Sequence, residues 1–188
     1  ALLMGETFQP WGPWRAPPMM PKEGYSDVMG VFNLSHVEEL VESVDELASH
    51  LLSRITGLGQ TVNQALLINT VIGHPETPED YHTESFSAQM DWIGISTYTN
   101  YDLYDFALML GKPSAGALRT DISEDVMEGV EKTIMLYRNV DDTGGHPDAH
   151  GISIYIPYRS SEYNRDYEDI QFARDTQWDE FIKAVHWL

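Results

Sequence analysis

Cysteine is absent from all 188 residues. No disulfide framework, thiolate metal site or cysteine nucleophile can therefore come from these residues. Basic residues are scarce: 11 Lys plus Arg stand against 30 Asp plus Glu, for a formal net charge of −19 and a pI near 4.4. A phosphate backbone would be repelled, because affinity for it comes mainly from Lys and Arg displacing counterions, so nucleic acid is excluded as a partner. Cationic peptides would be attracted instead. The acid excess equally suits a protein kept soluble in high salt or in a secreted, acid-tolerant setting. Apolar runs long enough to cross a bilayer, roughly 18 residues, are missing as well. The opening residues lack a basic stretch followed by an apolar one, so neither a membrane span nor a signal peptide is visible.

What the chain does contain suits one ordinary domain. Its hydrophobic content is 42%, and a chain of this length buries roughly 70% of its extended surface on folding. Residues 1–27 read as an extended, packed loop: Pro10, Pro13, Pro17, Pro18 and Pro21 forbid regular helix there, and Trp11 and Trp14 supply packing area. A short strand is expected over Val28–Phe32. Ser35 and Glu38 then have the S-x-x-E spacing of a capping box, which predicts a helix start.

From there Val37, Leu40, Val41, Val44, Leu47, Ala48, Leu51 and Leu52 recur every three or four residues, with acids mostly on the remaining faces. This is the clearest amphipathic helix in the chain. A second helix is expected over about Val62–Ile72, ended by Gly73 and Pro75, and a polar connection to about Gln89. Ile93–Tyr98 reads as a short strand or approach loop, and Leu103–Leu110 as a helix capped by Asp102 and stopped by Gly111 and Pro113. Asp121 or Ser123 is placed to cap a helix running to about Tyr137, on which Val126, Val130, Ile134 and Tyr137 share a face. Ile152, Ile154 and Ile156 alternate with Ser153 and Tyr155 as the best strand, and a last helix starts near Thr176 with Trp178, Phe181, Ile182 and Val185 inward. About five helices and two or three strands result. So small a sheet would leave edges and helix faces without partners, which points to a missing portion.

The residues from Gly151 to Phe181 form a longer pattern: Gly-Ile-Ser-Ile-Tyr-Ile-Pro157, then Tyr163, Tyr167, Ile170, Phe172-Ala173, Asp175-Thr176 and Trp178-Asp179-Glu180-Phe181. This resembles the C-terminal signature of clostripain-like cysteine peptidases. The run Tyr101-Asp102-Leu103-Tyr104-Asp105-Phe106-Ala107 is similar to a helix start of that family. Gly5-Glu6-Thr7 with Pro10-Trp11-Gly12-Pro13-Trp14 is similar to a loop that follows the family's nucleophile.

The resemblance implies an α/β fold, with this chain as the C-terminal part of a caspase-like sheet carrying helices on both faces. Residues 1–27 would form a cleft loop and residues 28–188 a helix-rich part with sheet strands. It implies cleavage after Arg or Lys by a His and Cys dyad, which an upstream peptidase chain would supply as partner. Basic peptides or proteins would be the substrates, with Glu6, Thr7, Trp11 and Trp14 lining their site. Autoprocessing and a secreted or cell-envelope location are further expectations from the family. Without its nucleophile the chain alone is expected to be inactive, and the alternative is a noncatalytic binding module or pseudo-peptidase.

Three further constellations are chemically meaningful. His146 and His150 flank Asp148 a few residues after Asp141 and Asp142. Those residues can ligate a cation, calcium through the three carboxylates rather than zinc through the imidazoles, and a solvated turn before a strand accounts for them equally. A serine hydrolase would need a nucleophile elbow, which is absent; Ser35-His36 suits a helix cap better. The Tyr and Trp residues from Tyr155 to Trp187 could form a binding platform, but their spacing suits core packing.

Overall fold

The computed structural model describes residues 2–5, 28–56, 85–90, 95–111, 120–139, 149–157 and 160–186. In chain order these form β1 (Leu2–Gly5), β2 (Val28–Phe32), α1 (Val37–Thr56), β3 (Ser85–Met90), β4 (Ile95–Asp102), α2 (Leu103–Gly111), α3 (Thr120–Thr133), β5 (Ile134–Asn139), β6 (Ser153–Tyr155), α4 (Gln171–Asp175) and α5 (Trp178–His186). The expected helix near Val62–Ile72 lies outside the described residues.

The chain is thus mixed α and β, as its patterning implies. The described strands form two antiparallel three-stranded sheets, ordered β1-β2-β5 and β3-β4-β6. Among the described residues the expected single caspase-like sheet with helices on both faces is not shown. Six strands also exceed the two or three expected, because three of them were hidden from pattern reading. Leu2–Gly5, expected as part of an extended loop, pairs with β2. Ser85–Met90, expected as polar connection, pairs with β4 along its whole length. Residues 134–139, expected up to about Tyr137 as the end of a helix, pair with β2. Ile134 and Leu136 fit a strand as well as a helix, and a partner strand decides between them because every backbone group must find a hydrogen bond.

Local capping explains the helix starts. Asn33, not Ser35, caps the entrance to α1: its Oδ1 accepts from Ser35 N at 3.2 Å and from Ser35 Oγ at 2.8 Å, and a 3-10 turn over Leu34–His36 precedes the helix. Asp102 does cap α2, accepting from Asp105 N at 2.8 Å. Helix α3 begins at Thr120, so Asp121 and Ser123 lie inside it rather than at its cap. Before α5, Thr176 donates its hydroxyl to Phe172 O at 2.8 Å, and Asp45 of α1 accepts from Gln177 N at 2.7 Å. A carboxylate from one helix thereby serves an orphan N–H at the start of another.

The core is where the helices meet. Helix α3 packs against both α1 and α2, and α5 packs on α1. Leu47, Leu51 and Ile55 of α1, Phe106 and Leu110 of α2, Val126 and Val130 of α3, and Trp178, Phe181 and Ile182 of α5 are all buried. Each such side chain contributes about 1.5–3 kcal/mol by leaving water. Trp178 is edge-on to Phe106 with ring centroids 6.0 Å apart, and its indole N–H donates to Tyr155 O at 2.9 Å. This bond joins the helical core to β6. Gly151 turns the chain into β6 with φ 96°, a conformation open to glycine at little cost.

Candidate functional site

Glu6, Thr7, Trp11 and Trp14, the expected substrate-binding residues, lie outside the described residues, as do His146 and the carboxylates Asp141, Asp142 and Asp148. Among the described residues no group of three or more His, Asp or Glu side chains is arranged to hold a metal ion. None of the described helices is long and apolar enough to cross a membrane. Of the expected cation set only His150 is described, and its ring engages a different partner.

That partner is Asp102, at the junction of β4 and α2. Its side chain is fully buried and serves three donors. Besides Asp105 N it accepts from His150 N at 2.6 Å, and its Oδ1 lies 3.2 Å from His150 Nδ1. With the proton on Nδ1 the imidazole donates to this carboxylate. Tyr104 stacks on the imidazole at 4.1 Å between centroids, and its hydroxyl donates to Glu131 Oε1 at 3.4 Å. Burial, then the Glu131 carboxylate, pushes the Tyr104 phenol up. Sequence reading placed Asp102 only as a helix cap, and nothing in the sequence joined it to a residue 48 positions away.

A second cluster centres on Lys183 of α5. Its ammonium bonds Asp179 Oδ2 at 2.8 Å and Glu168 Oε1 at 3.0 Å, and stands 5.9 Å from the Tyr163 ring centroid. Burial alone would lower the ammonium, but the bonds to Asp179 and Glu168 outweigh it and hold it above the ordinary lysine range. Burial likewise would raise Asp179, yet Lys183 and the adjacent Glu180 hold its carboxyl low, while burial and the Asp179 carboxylate push Glu180 up. These bonds fasten the Arg165–Asp169 turn to α5.

The third feature is an apolar groove of about 380 Å³. One wall is α1, through Val37, Leu40, Val41 and Val44, and the opposite wall is the chain entering β6, Gly151 to Ile154. Phe32 and Thr133 bring the end of β2 and of α3 to it, so the groove touches elements of both sheets.

No thiol stands near any of these features, because the chain has none. Compared with protein families, residues 20–187 match the Clostripain family. The chain belongs to the clostripain family of peptidases. Comparisons with curated proteins and with solved structures give no match. The clostripain match takes in α1 through α5, the Asp102 and His150 pair, the Lys183 cluster and the groove, all within one peptidase domain that contains no cysteine.

Proposed function

We propose that this chain is the C-terminal part of a clostripain-type cysteine endopeptidase that cleaves after Arg or Lys, and that it walls and braces the substrate cleft while another part supplies His and Cys. The observation that carries this reading is the clostripain match over residues 20–187 of a chain without cysteine. A thiolate is the nucleophile such chemistry needs, so the reacting sulfur must be brought by another part of the peptidase. The net charge of −19 supports a basic substrate, since an acidic surface raises the local concentration of cationic peptides. In this reading Glu6 and Thr7 line the pocket for the cationic side chain, Trp11 and Trp14 pack the cleft loop, and the two sheets join others in a caspase-like sheet.

The test is an intact-mass spectrum of the purified peptidase under denaturing and native conditions, with and without an Arg-directed thiol-reactive electrophile. A companion polypeptide that contains Cys, travels with this chain and takes the label is expected. A folded 21.4 kDa chain that is alone and unlabelled would refute the reading. It would favour the second reading, a noncatalytic binding module, for which the apolar groove is the supporting observation.

A further inference from the structure

Asp179 is the second residue of α5, its side chain is only 9% exposed, and its two oxygens fare differently. Oδ2 accepts from Lys183 Nζ at 2.8 Å, whereas Oδ1 is buried and meets no hydrogen-bond donor among the described residues. A carboxylate oxygen that has lost its water without gaining a donor is costly. The other side chain bonded to Asp179 is itself an acid, the adjacent Glu180. Two ionised carboxylates only accept, so that bond exists only while one of the pair carries a proton.

The surroundings decide which acid keeps it. Against the effect of burial, Lys183 and Glu180 hold the Asp179 carboxyl low, while burial and then the bond to Asp179 push Glu180 up. Both acids line a polar cleft that α1 enters through Asp45, the Arg165–Asp169 turn through Glu168, and α4 through Arg174 and Asp175. Glu168 already takes Lys183 at 3.0 Å, and Arg174 is bonded to Asp169 at 3.0 Å, outside the pair. The remaining carboxylates of the cleft, Asp45 and Asp175, add negative charge that favours a proton on Glu180. Tyr163 and Tyr167, whose phenols are pushed up in part by the Asp179 charge, stay neutral at any pH where a carboxyl titrates.

We propose that Glu180 keeps its proton in the folded chain and donates it to Asp179 Oδ1, so that the seating of the Arg165–Asp169 turn on α5 is governed by pH. With the proton in place, Lys183 bridges two carboxylates, Asp179 of the helix and Glu168 of the turn. Once Glu180 ionises, its charge stands beside theirs, Asp179 Oδ1 loses its donor, and the clasp loosens. The folded value of Glu180 exceeds the unfolded one. Its contribution is therefore complete below the unfolded value and is lost as pH rises through the folded one. Which chain carries the peptidase nucleophile does not enter into this device.

The test is carboxyl-carbon NMR of the full chain labelled at glutamate, with the Glu180 signal assigned by its loss in Glu180→Gln. That signal should titrate above a capped Glu peptide in the same buffer, and Asp179→Asn should return it to the peptide's midpoint. A Glu180 midpoint at or below the peptide's would overturn the proposal, and so would one that stays raised in folded Asp179→Asn. Melting curves give a second readout that does not depend on Asp179→Asn folding. Between about pH 4 and about pH 8, the span above the ordinary glutamate value, Glu180→Gln should gain on the wild type by about 2 °C or more, because its amide still donates to Asp179. Glu124→Gln, an exposed acid of α3, makes the same change in net charge and should gain less. Equal gains in the two variants would reduce the effect to overall charge and overturn the proposal.

Discussion

His150 Nδ1 lies 3.2 Å from Asp102 Oδ1, and the same carboxylate also accepts the His150 backbone N–H. One fully buried side chain therefore fastens the approach to β6 to the first turn of α2. Asp102→Asn keeps the volume but presents an amide where donors converge, leaving at least one of them without an acceptor. A loss of about 2–4 kcal/mol is expected, in the range for breaking a buried charge-assisted network. Urea denaturation would measure it, and a loss below about 1 kcal/mol would mean the carboxylate is dispensable.

Trp178 separates packing from hydrogen bonding. Trp178→Ala should cost about 3–5 kcal/mol for the emptied core volume. In Trp178→Phe much of the apolar body stays, while the bond to Tyr155 O is lost. A smaller cost, about 1–2 kcal/mol, is expected for that variant. Equal costs for the two would show that the bond to β6, rather than the indole's bulk, carries the energy.

Two glycines should respond in opposite directions. A Cβ on Gly129 of α3 would stand 3.0 Å from Leu40 Cδ1 and 3.5 Å from Leu40 Cα, so Gly129→Val forces α1 and α3 apart. Overpacking of this kind costs about 1–3 kcal/mol. A Cβ on Gly111 would meet Ser123 Cβ at 3.5 Å, an ordinary contact. Gly111→Ala should stabilise by about 0.4–1 kcal/mol through the unfolded chain. Thermal melts of the two variants side by side would check both signs.

Alkaline pH should loosen the segment around α5. Burial pushes the Tyr163 phenol up to about 12, raises Tyr167 further, and leaves Lys183 above its ordinary value because Asp179 and Glu168 outweigh the effect of burial. For each group the folded pKa exceeds the unfolded one, so its stabilising contribution is complete below pH 10 and fades as pH rises toward the folded value. The melting temperature should therefore fall between pH 10 and about 12, and Tyr163→Phe should flatten part of that fall. A Tyr163→Phe curve parallel to the wild type across this window would remove Tyr163 from the account.

Much of the helical layer was legible in the chain itself. The three-and-four spacing from Val37 to Leu52 marks the buried stripe of α1, because a helix returns the same face every 3.6 residues. Asp102 before Leu103, and the apolar spacing from Trp178 to Val185, likewise located α2 and α5. The absence of cysteine and the acid excess bounded the chemistry before any fold was known. The pattern from Gly151 to Phe181 pointed to the peptidase family that the match over residues 20–187 establishes.

Tertiary structure alone decided the rest. Ile134–Asn139 carries a pattern that a helix or a strand could use, and pairing with β2 settled it as strand. Asn33 rather than Ser35 became the cap because Ser35 is itself a donor to the Asn33 side chain. The meeting of Asp102 with His150, of Asp45 with Gln177, and of α1 with the chain entering β6 joins residues far apart in sequence. Periodicity reports which face of one element is apolar. It carries no information on which distant element that face, or the carboxylate beside it, will meet; close packing and the need to satisfy buried polar groups make that choice.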